Sequence, residues 1–121
     1  MNSKIRKLRR VVSVVRELID PELPLQQLAL LLLIADADGE GITMPEACEK
    51  LRMGQTSVSK NAKMLSQYAE ETAGIVKIKG YALIDSRPDL LERRRLRMTI
   101  TAKGKQVLDK IIEGIEMHGS I

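Results

Sequence analysis

The sequence predicts a mainly α chain with a small β-hairpin, an α+β class, on three observations. Apolar residues recur at three- and four-residue spacing near both ends, the periodicity of amphipathic helices. In the middle, two helical segments are separated by a turn of Arg52, Met53 and Gly54, and two helices joined through such a glycine-containing turn form a helix-turn-helix. Beyond them, Leu96, Met98 and Ile100 alternate with Arg95, Arg97 and Thr99, the period of a half-buried strand. At 121 residues and 44% hydrophobic content, residues 1–121 have the size and apolar content of a single domain.

Taken in order, Ile5, Leu8, Val12, Val15 and Ile19 predict an amphipathic helix over residues 4–19 with a cationic outer face. Its basic start followed by valines is no targeting signal, because Arg16, Glu17 and Asp20 cut the apolar run short. Pro21 and Pro24 end the helix. Leu28 to Ala35 is the most apolar run, and at eight residues it is a buried core helix rather than a membrane span, which needs about 18. Asp36 to Gly41 is turn-rich. Thr43 and Glu46 have the spacing of a capping box, which starts a short helix at Met44 that buries Ala47, Cys48 and Leu51.

Gly54 to Tyr68 predicts a two-faced helix. Val58, Ala62 and Leu65 share one side, and Thr56, Lys60, Lys63 and Gln67 share the other. Its start, Gly54, Gln55, Thr56 and Ser57, is small and polar enough to approach a DNA groove. A first strand is expected from Val76 to Lys79 continuing after Gly80 through Tyr81 to Ser86, and a second from Arg94 to Thr101. The turn between them contains Pro88 and Asp89, and its tip and outer face carry Arg87, Arg93, Arg94, Arg95 and Arg97. The last helix, Ala102 to Glu116, shows Val107, Leu108, Ile111, Ile112 and Ile115 as an apolar stripe.

Composition narrows the function classes. Two Tyr and no Phe or Trp argue against binding that works by stacking on bases or aromatic ligands. The single Cys48 makes no internal disulfide and fits a reducing cytoplasm. Cys48 and His118, each alone of its kind, form no metal cluster, and no catalytic motif is present, so neither metal, cofactor nor enzymatic activity is expected. The net charge of +4 is unevenly spread: residues 1–16 hold +6, residues 77–105 hold another +6, and the rest of the chain is −8. Two basic segments on an acidic body suit a polyanion, although cationic helix faces are often no more than solvated surface.

The segment LIDSRPDLLERRRLRMTITAKG, Leu83 to Gly104, resembles the wing of the MarR-like winged helix-turn-helix transcription regulators. Arg87, Pro88 and Asp89 match the start of that wing. Glu92, Arg93 and Arg94 match its acidic-Arg-Arg tip, with Glu in place of the usual Asp, and Ile100, Thr101 and Gly104 match the closing turn. Val58, Ser59, Lys60 and Leu65 match the family's recognition helix. The resemblance covers roughly residues 28–112. Family members usually run a few tens of residues longer, with another C-terminal helix in the dimer interface. Extra residues, about Ser66 to Lys79, stand between recognition helix and wing, which suggests a longer helix and an extended first wing strand.

The resemblance implies a winged helix-turn-helix core over residues 25–101, flanked by an N-terminal dimerisation helix, 1–20, and a C-terminal helix, 102–121. The expected function is a sequence-specific, double-stranded DNA-binding transcriptional regulator, a dimeric repressor. Gln55, Thr56, Ser57, Ser59, Lys60 and Lys63 would lie at the major groove, and Arg87, Arg93, Arg94 and Arg95 at the minor groove and phosphates. Ile5, Leu8, Val12, Val15, Ile111 and Ile115 are expected to pair two chains across a two-fold axis; the alternative is that the end helices pack on each other within one chain. No membrane partner is expected, and the sequence identifies no small-molecule effector. Two alternatives remain open: a nonspecific DNA-binding or replication accessory protein of phage or plasmid origin, and a winged-helix module that docks an acidic protein.

Overall fold

The computed structural model describes residues 2–91 and 96–116. Five helices and a small antiparallel sheet form a winged helix-turn-helix in the order α1 (Asn2–Leu18), α2 (Leu25–Asp36), a 3-10 turn (Asp38–Glu40), β1 (Ile42–Thr43), α3 (Met44–Leu51), α4 (Gln55–Leu65), β2 (Tyr68–Thr72), β3 (Ile75–Lys79), β4 (Ile84–Pro88), β5 (Leu96–Ile100) and α5 (Ala102–Glu116). Since α2 is apolar on nearly every side, the other elements assemble around it. Leu30, Leu31 and Ile34 of α2 are fully buried, in one cluster with Val58 and Leu65 of α4, Met98 of β5 and Ile111 of α5. Among the described residues no helix is long and apolar enough to cross a membrane.

The predicted capping box is present. The Glu46 N–H donates to Thr43 Oγ1 at 3.4 Å, and the Thr43 N–H and hydroxyl donate to the Glu46 carboxylate at 3.4 and 2.8 Å. These bonds, the Thr43 hydroxyl foremost, hold the Glu46 carboxyl below the usual carboxylate range. Thr43 does double duty, because it also belongs to β1, whose Ile42 faces Met98 of β5. The wing is therefore a three-stranded sheet in the order β1-β5-β4, where the sequence had suggested two strands. A two-residue strand is too short to leave a periodic signal.

Two further expectations are corrected between α4 and the wing. The helix stops at Leu65, with Ser66 extended at its C-cap, and does not reach Tyr68. Val76 to Lys79 is not part of the wing: it pairs with Tyr68–Thr72 as a separate antiparallel ribbon, and the first wing strand is Ile84–Pro88 alone. Ala73 and Gly74 both take positive φ, 53° and 81°, the left-handed pair of a tight two-residue hairpin turn. At the ribbon's foot Gly80 has φ +92°, and a Cβ there would run into the Ser66 carbonyl oxygen. The chain then turns back on α4, where the N–H groups of Tyr81, Ala82 and Leu83 donate to the carbonyls of Met64, Ser66 and Leu65 at 3.0, 3.3 and 2.8 Å. Carbonyls left over at the helix end are thus satisfied by the strand that follows the ribbon.

The two end helices pack on each other within the chain. Gly114 of α5 is buried against α1, where a Cβ would stand in ordinary contact with side-chain carbons of Arg10 and Val14 at 3.6 and 3.8 Å. Tyr81 joins this end of the molecule to the foot of the ribbon by donating its hydroxyl to Asp20 Oδ2 at 2.7 Å. Partial burial and the neighbouring Asp20 carboxylate push the Tyr81 phenol up to about 12.

Candidate nucleic-acid interface

The helix-turn-helix places α4 so that its two faces separate as the spacing demands. Val58, Ala62 and Leu65 are 0, 5 and 0% exposed, whereas Gln55, Thr56, Ser59, Lys60 and Lys63 are exposed and Ser57 is half-buried. The turn before it is made by Arg52 in the left-handed region (φ 54°), whose N–H closes α3 on Cys48 and Glu49. Gly54 is the N-cap of α4 and offers no side-chain bond, so the first amides of the helix lie beside a run of small polar side chains. Such an end can meet a polyanion with backbone N–H groups as well as hydroxyls. Cys48 is half-buried against the core, consistent with a packing role.

On the wing, Arg87 is exposed and its Nε donates to Asp85 Oδ2 at 3.2 Å on the same strand. Arg97 has a different job. Its Nη1 donates to the Glu40 carbonyl at 3.0 Å, and its Nη2 lies 3.7 Å from Oδ2 of Asp89, a residue only 7% exposed. Asp89 Oδ1 accepts from the Leu91 N–H at 3.2 Å. This aspartate and arginine therefore brace the wing against the loop before β1. Arg93, Arg94 and Arg95 lie outside the described residues, as do Glu92 and His118.

The expected pairing residues divide. Ile5, Leu8, Val12 and Ile115 are 48, 62, 52 and 48% exposed, and Leu32 and Ile112 are each 45% exposed. Val15 and Ile111, in contrast, are each 4% exposed inside the chain's own core, so their place on the dimer surface is corrected: α1 and α5 already bury them against one another. A groove of about 540 Å³ beside α5 is lined by Leu32, Ile100, Leu108, Ile112 and Ile115 among others. Among the described residues no group of three His, Cys, Asp or Glu side chains could hold a metal ion.

The ribbon was the feature sequence reasoning missed. Its one signal was the Ala73-Gly74 pair, a faint version of the Asn-Gly hairpin turn, between two strand-forming runs. The Lys63 ammonium of α4 sits 4.7 Å from the centre of the Tyr68 ring, so ribbon and helix touch through a cation–π contact. Lys79 donates to Glu70 Oε1 at 2.7 Å, which lowers the Glu70 carboxyl and raises the Lys79 ammonium from their ordinary values.

No protein-family model matches the chain, and no curated protein matches it in sequence. Solved structures do match its fold. The Staphylococcus aureus MepR–DNA complex shares 15% identity at a TM-score of 0.66, over 91% of this chain and 78% of MepR. Bordetella bronchiseptica BpsR, whose DNA binding is regulated by 6-hydroxynicotinic acid, shares 18% at 0.58, over 93 and 70% of the two chains. A MarR-family transcriptional regulator from a Rhodococcus species shares 15% at 0.60, over 88 and 65%. The chain spans about two thirds to three quarters of these proteins' length, and at such identities the likeness establishes a shared winged-helix fold.

Proposed function

We propose that the chain is a sequence-specific, double-stranded DNA-binding transcriptional regulator that acts as a homodimer, with α4 in the major groove and the wing along the adjacent minor groove. One observation carries this reading: α4 buries its apolar side completely and presents Gln55, Thr56, Ser59, Lys60 and Lys63 outward, on a fold also found in MepR bound to DNA. Thr56, Ser57, Ser59 and Lys60 reach base edges, and Gln55 and Lys63 assist or hold phosphates. Arg87 supports the wing's approach to the backbone, and Arg93 and Arg94, which the sequence sets between β4 and β5, enter the minor groove. The two basic segments supply the sequence-independent attraction.

Exposed apolar side chains on α1, α2 and α5 support the dimer, since Ile5, Leu8, Val12, Leu32, Ile112 and Ile115 remain uncovered after α1 and α5 have packed together. Two copies related by a two-fold axis would present two α4 helices to an inverted repeat. Selecting duplexes from a random pool and titrating them against unselected ones tests the reading. Preferential binding of the selected duplex is expected. Equal affinity for both would replace it with a nonspecific DNA-binding protein, and no binding at low salt with a protein-docking module.

A further inference from the structure

The β2–β3 ribbon has two unlike faces. Its register pairs Tyr68 with Lys79, Glu70 with Lys77 and Thr72 with Ile75, so these six side chains share one face, while Ala69, Glu71, Val76 and Ile78 share the other. All the ribbon's cations are therefore on the first face, and the second face carries only an anion among apolar groups. Tyr68 belongs to the first face, and its ring lies under Lys63, which projects from the exposed side of α4. The cationic face of the ribbon is thus continuous with the outer face of the helix. On it, Glu70 is engaged by Lys79, whereas Lys77 has no anionic partner among the described residues. Lys60, Lys63 and Lys77 form a positive strip from helix to ribbon, partly offset by Glu70, which faces Lys77 across the two strands and whose carboxyl Lys63 also helps to lower. The strip is held in place, because the chain after the ribbon is hydrogen-bonded to the carbonyls of Met64, Leu65 and Ser66.

We propose that the β2–β3 ribbon is a second DNA-binding arm, which lays Lys77 along the phosphate backbone beside the groove occupied by α4. This inference rests on the major-groove reading of α4 and adds to it a contact made beyond the helix end. Phosphate contacts of this kind set affinity and position without reading sequence, so the arm contributes equally on selected and random duplexes. The Glu70–Lys79 pair is its built-in restraint: while Glu70 holds Lys79, only one of the two strand lysines is available to the duplex.

Two variants of opposite sign test it, by the dependence of duplex affinity on salt concentration. Loss of one phosphate contact lowers the slope of log K against log salt by about 0.9. Lys77→Ala is expected to lower the slope by that amount on both selected and random duplexes. Glu70→Gln, which keeps the shape and releases Lys79, is expected to raise it by a similar amount and to tighten binding at low salt. Lys110→Ala on α5 controls for net charge and should leave the slope unchanged. If the native chain binds duplex DNA but Lys77→Ala leaves the slope unchanged, or lowers it no more than Lys110→Ala does, the ribbon is not a DNA arm and the reading of α4 stands. If Glu70→Gln fails to steepen the slope, the proposal is likewise overturned. Absence of duplex binding by the native chain overturns both readings.

Discussion

At the scale of single residues, Thr101 and Gly104 decide how the wing meets the last helix. Thr101 Oγ1 accepts the Gly104 N–H at 3.0 Å as a helix cap and donates to the Ala82 carbonyl at 2.7 Å. Gly104 is buried, and a Cβ there would run into the Leu83 carbonyl oxygen, so α5 can approach the strand only through glycine. Gly104→Ala is therefore expected to cost about 1–3 kcal/mol, the usual penalty for overpacking a filled site, read from urea unfolding. Lys105→Ala, one position on and exposed, should stay within about 0.5 kcal/mol of the native chain. Thr101 and Gly104 both lie in the segment that resembles the wing, Leu83 to Gly104. The cap and the close approach give those positions a physical meaning that spacing alone did not.

At the scale of elements, what was legible depended on how long and how one-sided each segment is. Helix α2 is legible within a few residues because Leu28 to Ala35 is an unbroken apolar run, and α1 and α5 because their apolar side chains recur over three or more turns. The outward set on α4 was legible for the same reason, since Val58, Ala62 and Leu65 fix its inner face. Strand periodicity states that a segment is extended but not which segment it pairs with, so Val76 to Lys79 was assigned to the wing when its partner is Tyr68–Thr72. The helix end was misplaced because Ser66 and Gln67 do not break a helix; what ends α4 is the chain returning at Tyr81 to Leu83 to bond its carbonyls, a tertiary effect. The wing's bracing was equally hidden, because Arg97 and Glu40 are 57 positions apart. Arg97→Ala is expected to destabilise the fold by roughly 1–3 kcal/mol, because the mostly buried Asp89 loses its cation and the Glu40 carbonyl loses a donor. The same variant should weaken duplex binding through a displaced wing. A loss of binding with unchanged stability would instead make Arg97 a direct DNA contact.

At the scale of the whole molecule, two copies of the chain are expected to share one duplex. The exposed stripe on α1 and the groove beside α5 are expected to be covered in the dimer. Leu8→Glu or Ile115→Glu should then weaken association at least about tenfold, since an unpaired carboxylate in an apolar contact costs well over ~1.4 kcal/mol. Size-exclusion chromatography with light scattering reads this directly, and a native chain that is monomeric at micromolar concentration would end the dimer account. A monomer would leave α4 intact but deprive it of the inverted repeat. Whether α4 reads sequence is decided by the ratio of affinities for a selected and a random duplex, measured for the native chain and for Lys60→Ala. If α4 reads sequence, the native ratio is expected to be about 1,000 or more, the usual range for sequence-specific DNA binding. Lys60→Ala should lower that ratio by roughly 5- to 150-fold, the equivalent of the ~1–3 kcal/mol that one base contact discriminates. A native ratio near one, or a ratio that Lys60→Ala leaves unchanged, would contradict the assignment of α4 as the reading helix.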